Sequence, residues 1–182
     1  MRKKIVAGNW KMNCTLTEAE NLVEEILQSS LSLASDQEVI LAAPFVYLTK
    51  VQKRLQEKAR FHVGAQNCYT EKSGAYTGEI SAVMLASVGV EYVIIGHSER
   101  REYFKESNAM LAKKMNIALQ FGLQPIFCCG EPLEVRKEET QNTYVEKQLQ
   151  ESGFHLCSDQ MRKVVIAYEP VWAIGTGLTA ST

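Results

Sequence analysis

The chain has 182 residues, of which 46% are hydrophobic and 23% charged, a balance typical of one sizeable globular domain and not of a disordered chain. Its 20 basic and 21 acidic residues give a net charge of −1, which supplies no overall attraction to nucleic acid or to an anionic membrane. No apolar run reaches membrane-spanning length, and no charged n-region with an apolar h-region opens the chain. The five cysteines show no paired metal-binding spacing, so we expect reduced thiols in a cytoplasmic protein and no bound metal.

Short apolar runs alternate along the chain with helical patterns. The apolar runs predict six β-strands, over residues 4–9, 38–44, 61–66, 92–97, 124–130 and 164–169. Apolar spacing predicts helices over 17–31, 81–88, 108–121 and about 133–151, and one more helical face around residues 48–55. Thr17 followed by Glu20 predicts a capping box that opens the first helix. Strand–helix repeats of this kind predict a parallel sheet whose strands are covered on both faces.

Periodicity alone leaves two architectures open, a doubly wound open sheet and a (β/α)8 barrel. Polar side chains stand near the C-terminal ends of five of the predicted strands, at Asn9 and Lys11, Gln66 and Asn67, His97 and Glu99, Glu131, and Glu169. Contributions from five separate strands suit a ring better than a single crevice at one switch point. A complete barrel needs about 240–250 residues. The pattern therefore predicts a single α/β barrel domain over 1–182 that is incomplete at its C-terminus.

Four motifs give the chain a family resemblance. They are Ala7-Gly-Asn-Trp-Lys-Met-Asn13, Gly96-His-Ser-Glu-Arg-Arg101, Cys128-Cys-Gly-Glu131 and Ala167-Tyr-Glu-Pro-Val-Trp-Ala-Ile-Gly-Thr-Gly177. In this order they resemble the triosephosphate isomerase family. The resemblance implies a TIM (β/α)8 barrel, here truncated after its sixth strand and lid loop. It also implies a cofactor-free isomerase of glycolysis and gluconeogenesis that interconverts dihydroxyacetone phosphate and D-glyceraldehyde 3-phosphate. The alternative is a catalytically inactive fragment with an incomplete phosphate site.

Glu169 is the candidate general base. A carboxylate at a strand end is usually a solvated surface group, but one placed beside a substrate can remove a proton from the carbon next to a carbonyl. We expect partial burial beside Trp172 and Ile174. The resemblance implies that Glu169 is the residue that moves the proton.

The other candidate residues follow the first and fourth strands. The resemblance implies that His97 is a neutral imidazole that donates a hydrogen bond to the substrate oxygens, and that Lys11 is a fixed positive charge. Asn9 could donate its amide to the same oxygen. Glu99 matches a position that helps to assemble the site near Lys11. Each has an ordinary alternative, such as a structural histidine or a surface lysine whose charged end reaches water.

Two loops complete the implied site and assembly. Residues 170–177 resemble the family's lid, whose closure would exclude water and bring the Gly175 N–H to the substrate phosphate. Residues 67–79 resemble a loop that enters a pocket of a second subunit, with Thr77 at its tip. The resemblance therefore implies a homodimer that acts on a small phosphorylated triose.

Overall fold

The structure is a computed structural model that describes residues 3–29 and 32–174. The chain divides into two compact units. The first unit contains Met1–Val93 and Phe121–Leu123, and the second contains Ile94–Gln120 and Gln124–Thr182. The single domain expected over 1–182 stays a prediction.

The first unit is built from parallel strands joined by helices. Its strands are β1 (Lys4–Asn9), β2 (Gln37–Ala43), β3 (Phe61–Ala65) and the start of β4 (Tyr92–Ile95), and its helices are α1 (Leu16–Gln28), α2 (Leu48–Leu55) and α3 (Ala82–Ser87). A 3-10 turn at Phe45–Tyr47 precedes α2. Each strand pairs in parallel with the next, with Lys4 opposite Gln37, Val39 opposite Phe61 and Gly64 opposite Tyr92. The predicted parallel arrangement is therefore confirmed in this unit.

The second unit continues the same alternation. Its helices are α4 (Ser98–Tyr103), α5 (Asn108–Gln120), α6 (Leu133–Lys137), α7 (Gln141–Gly153) and α8 (Ser158–Met161). Strand β5 (Gln124–Cys129) pairs in parallel with β6 (Val165–Tyr168), with Ile126 opposite Val165. A 3-10 turn at Val171–Ala173 follows β6. All six predicted strands are present, with ends that differ from the predicted ones by at most two residues.

Two predictions about the helices are wrong. The capping box that opens α1 lies at Thr15, whose N–H donates to the Glu18 carboxylate at 2.7 Å, and Thr17 and Glu20 lie inside the helix. The predicted long helix over 133–151 is divided into α6 and α7. Glu139 in the connection has a φ of 56°, a left-handed conformation that a helix cannot contain.

The expected burial of every strand on both faces is also wrong. Val6 in β1 is 70% exposed and Ile166 in β6 is 46% exposed. Among the described residues β1 pairs with β2 and β6 with β5, so each has a neighbour on one side. In contrast Ile40 in β2, Val63 in β3 and Phe127 in β5 are buried, as their apolar sequences predict.

A buried ion cluster lies in the second unit. The Nζ of Lys114 on α5 lies 2.7 Å from Oε1 of Glu106, and the Nε of Arg100 on α4 lies 2.6 Å from the same oxygen. The side chains of Lys114 and Glu106 are only 2% and 3% exposed. The second oxygen, Oε2 of Glu106, is buried without a hydrogen-bond partner among the residues that the structure describes. One carboxylate oxygen thus serves two cations away from water.

Candidate active site

Asn9 and Lys11 lie together at the carboxyl end of β1. The Lys11 N–H donates to Oδ1 of Asn9 at 3.0 Å, and Nε2 of Gln66, just after β3, donates to the Lys11 carbonyl at 2.8 Å. The Lys11 φ of 53° lies in the left-handed region, which a residue with a Cβ rarely adopts. Neighbouring side chains therefore hold Lys11 in a strained conformation, a feature that clusters at functional sites.

The same bonds determine which end of the Asn9 amide can act on a ligand. Because Oδ1 accepts the Lys11 N–H, the Nδ2 amino group is the donor end of the side chain. The structure therefore brings together the two predicted residues of β1 and orients Asn9 as a donor.

His97 is placed by the turn between β4 and α4. Gly96 has a φ of 79°, and its carbonyl accepts a hydrogen bond from Nε of Arg101 at 2.8 Å. His97 is the N-cap of α4, and its Nδ1 accepts the N–H of Glu99 at 3.3 Å. An Nδ1 that accepts carries no proton, so the hydrogen of the neutral ring lies on Nε2.

Glu99 serves His97 through its backbone. The Glu99 carboxylate also lies 3.5 Å from Nδ1 of His97. The Glu99 N–H occupies the Nδ1 lone pair. This backbone hydrogen bond therefore orients the ring, and the ion contact does not. The side chain of His97 is 9% exposed, which leaves a small part of the ring open to a ligand.

Glu169 directly follows β6 and lies against the end of β5. Its N–H donates to the Cys129 carbonyl at 2.9 Å. The residue borders a cavity of about 250 Å³ that is lined also by Ser98, Cys128 and Gly130. The partial burial expected for Glu169 is wrong, because the residue is exposed among the described residues. The carboxylate is therefore open to a substrate from solvent.

The pKa of Cys128, which lines the cavity, reflects its burial and the charge of Glu169. Burial, and then the nearby charge of Glu169, raise the pKa of the Cys128 thiol to about 12. Burial also raises the pKa of Cys129. Both cysteines are buried, as their position on a strand predicts. A thiol that stays protonated is a poor nucleophile, so covalent chemistry at Cys128 has no support in this geometry.

Glu131 stands among the polar residues that the sequence places at strand ends, but the sequence analysis gave it no role in the site. It is fully buried, and its carboxylate accepts hydrogen bonds from the Trp172 indole at 3.0 Å and the Tyr168 hydroxyl at 2.9 Å. Its carbonyl accepts the Val171 N–H at 3.0 Å. Burial and the hydrogen bond to Glu131 raise the pKa of Tyr168. Glu131 thus holds the residues on both sides of Glu169. Its position just after a predicted strand was the only sign of this role in the sequence.

The loop over 67–79 has no helix or strand, as predicted. Its ends are tied by the Tyr69 N–H, which donates to the Ile80 carbonyl at 2.8 Å, and by the rings of Tyr69 and Tyr76, whose centroids are 4.7 Å apart. Thr77 is exposed. The hydrogen bond between Tyr69 and Ile80 therefore closes the loop at its base, and Thr77 at its tip faces solvent.

The remaining predictions concern Gly175, a metal site and membrane-spanning helices. Gly175 lies outside the described residues. Across 3–29 and 32–174, no group of three or more His, Cys, Asp or Glu side chains is arranged to hold a metal ion. Within the same ranges, no helix has the length and apolar character needed to cross a membrane.

Parallel βα units with polar side chains after strands β1, β4 and β6 are typical of α/β enzymes that bind small substrates at the carboxyl ends of their strands. The sequence profile of the triosephosphate isomerase family matches residues 4–182. The chain therefore belongs to the triosephosphate isomerase family. This finding confirms the predicted fold class, a TIM (β/α)8 barrel of which residues 3–29 and 32–174 form six strands, and the predicted class of enzyme, an isomerase of triose phosphates.

Individual relatives agree with the family match. The chain is 53% identical over 182 residues to the triosephosphate isomerase of Cytophaga hutchinsonii and 49% identical over 183 residues to that of Amoebophilus asiaticus. It is 51% identical over 181 residues to that of Bacteroides fragilis. Each comparison covers 100% of this chain, and 72%, 72% and 71% of the respective relatives.

Proposed function

We propose that the protein interconverts dihydroxyacetone phosphate and D-glyceraldehyde 3-phosphate through an enediolate, as a cofactor-free step of glycolysis and gluconeogenesis. The observation that carries the proposal is the orientation of His97. Its Nδ1 accepts the Glu99 N–H, so the neutral ring offers an N–H from Nε2. Such a donor stabilises the negative charge that develops on a substrate oxygen through a hydrogen bond, and the ring itself carries no positive charge.

Glu169 is the proposed general base. Its carboxylate removes a proton from the carbon next to the substrate carbonyl and returns that proton to the former carbonyl carbon. The hydroxyl proton moves to the former carbonyl oxygen, so the carbonyl and hydroxyl exchange places. The exposed position of Glu169 beside the cavity supports this role. His97 donates to the oxygens of the enediolate while the proton is held by Glu169.

Lys11 and Asn9 are the proposed electrostatic partners of the substrate. The strained backbone of Lys11 and its two hydrogen bonds fix where its side chain begins, and a fixed cation favours a phosphate and a developing enediolate. Asn9 offers its Nδ2 donor. Glu99 is proposed as a residue that helps to assemble the site, since its N–H orients His97. Gly175 as a phosphate donor rests on the family resemblance.

The test of the proposed base is Glu169→Asp. The carboxylate retracts by one methylene, and a misplacement of about 1 Å can cost on the order of 10²-fold in rate. We expect kcat to fall by about that factor while KM changes little. Glu138→Asp, at an exposed position between α6 and α7, is the matched control and should retain full activity. An unchanged kcat in Glu169→Asp would remove Glu169 as the base.

We also propose that the protein is a homodimer formed through the loop around Thr77. The exposed tip of this loop supports the proposal, as do Met12 and Val46, which are 96% and 75% exposed in the same unit. A second subunit that covered these two side chains would remove their apolar surface from water. Sedimentation velocity should give a dimer that Thr77→Arg dissociates and that Thr49→Arg, on exposed α2 surface, does not. A monomeric wild-type protein would contradict the proposal.

The proposed location is the cytoplasm. Among the residues that the structure describes, no disulfide joins the cysteines, and a reducing compartment keeps thiols in this state. Cell fractionation with antibody detection tests the location, and recovery of the protein outside the cytoplasmic fraction would contradict it.

A further inference from the structure

Gln148 on α7 is a buried polar residue with an unusual pair of contacts. Its Oε1 accepts the Gly130 N–H at 3.0 Å, and its Nε2 donates to the Gly130 carbonyl at 3.2 Å. The residue is 5% exposed. One side-chain amide therefore satisfies both backbone polar groups of one glycine just after β5, where the parallel pairing with β6 has ended.

Gly130 in turn lies against the backbone of Glu169. A Cβ built on Gly130 would lie 1.8 Å from the Glu169 carbonyl oxygen and 2.7 Å from its carbonyl carbon. The Glu169 N–H is bonded to Cys129, the residue before Gly130. Because the two backbones approach this closely, a displacement of Gly130 must displace Glu169.

Packing alone does not hold Gly130 in place. The cavity of about 250 Å³ borders Gly130, Gln148 and Glu169, so side chains do not fill the space on that side of the glycine. A buried amide is costly unless both its donor and its acceptor are paired. An apolar side chain would fill the position of Gln148 more cheaply if filling were its whole role.

We propose that Gln148 is a positioning residue for the isomerase reaction: it holds the Gly130 backbone and thereby fixes the place of the Glu169 carboxylate. The inference rests on the proposed role of Glu169 as the base. Gln148 itself lies on the helix behind the strand end and acts through Gly130.

Two substitutions separate the hydrogen bonds from the volume of the side chain. Gln148→Met keeps the length and removes both bonds. Gln148→Glu, when protonated, can accept the Gly130 N–H with one oxygen and donate its O–H to the Gly130 carbonyl. When ionised, it keeps the first bond and places a negative oxygen against the carbonyl. The effect of Gln148→Glu should therefore depend on pH.

The experiment combines amide hydrogen exchange with steady-state kinetics on the whole protein. In Gln148→Met we expect the exchange protection of the Glu169 amide to fall at least tenfold, while the Ala167 amide within β6 keeps its protection. We expect kcat to fall by about 10- to 100-fold, the scale of a misplaced catalytic group, with KM within about threefold of wild type. Gln150→Met is the control, because Gln150 is exposed on the same helix and donates to Glu146.

Gln148→Glu keeps the test decisive if Gln148→Met does not fold. Relative to wild type at each pH, its kcat and its Glu169 protection should recover as the pH falls from about 8 to 5. Wild-type kcat in Gln148→Met would overturn the inference, and so would a loss of protection spread evenly over β5 and β6. So would a Gln148→Glu enzyme without this recovery. A failure of the proposed function is distinguished separately: a wild-type protein without isomerase turnover would refute that function, and an unchanged kcat in Glu169→Asp would refute Glu169 as the base, whatever the exchange data show.

Discussion

Removing the charge of Glu106 should destabilise the protein strongly. Glu106→Gln takes away the anion that faces Lys114 and Arg100, whose nitrogens both lie within 2.7 Å of one carboxylate oxygen. The Lys114 side chain is 2% exposed, so its ammonium cannot regain water without movement of α5. The variant therefore leaves a buried positive charge that no longer faces the Glu106 carboxylate.

The size of the effect follows from the burial of the pair. Removing one partner of a buried ion pair costs about 3–5 kcal/mol. We expect the lower end, about 3 kcal/mol, because the glutamine oxygen can replace Oε1 and its amino group can occupy the position of Oε2, which has no partner. For a chain of this length each kcal/mol lowers the melting temperature by about 2–4 °C, so the expected decrease is about 10 °C.

Circular dichroism melts and urea titrations measure the change. Adding Lys114→Met to Glu106→Gln should restore part of the lost stability, because the buried cation that has lost its carboxylate is then removed as well. Asp159→Asn is the control, since its ion pair with Arg162 is 86% and 75% exposed and should change stability by less than about 1 kcal/mol. The reasoning fails if Glu106→Gln is as stable as wild type, or if the double variant is less stable than the single one.

Two further predictions concern the candidate site. Lys11→Met should weaken binding of a phosphate-bearing enediolate analogue at least tenfold in calorimetric titration while the melting temperature stays nearly constant, and equal affinity would place Lys11 outside the site. The free energy of unfolding should fall as the pH rises from about 9 to 12, because the raised pKa of Cys128, about 12, lets the unfolded chain ionise first. Urea titrations should show a smaller fall for Cys128→Ser, and a wild-type curve as flat as that of the variant would contradict the assignment.

The strands were predictable because their physical requirement is simple. A parallel strand covered on both faces needs a largely apolar run, and β2, β4 and β5 have one, as β3 does apart from His62. The first capping box was predicted two residues late because Thr15 with Glu18 and Thr17 with Glu20 both fit the same four-residue pattern. Which of the two begins the helix depends on where the chain leaves β1. The break between α6 and α7 depends on the positive φ of Glu139, which a glutamate does not signal.

The candidate site was predictable where it depends on strand ends. Asn9, Lys11, His97 and Glu169 each follow an apolar run, so parallel topology places them at carboxyl ends. Gln148 was not predictable, because a polar residue on a helix gives no sign that its partner is a backbone group 18 residues earlier in the chain.

The conformation of Lys11 has a consequence for how this sequence can change over generations. A left-handed conformation costs a residue with a Cβ about 1–2 kcal/mol, and glycine adopts it without that cost. A library of variants sorted only for thermal resistance should therefore accumulate glycine at position 11 and lose the ammonium group. Lysine is retained at position 11 only under selection for turnover. The residue found there therefore indicates whether a population of sequences was selected for thermal resistance or for catalytic turnover.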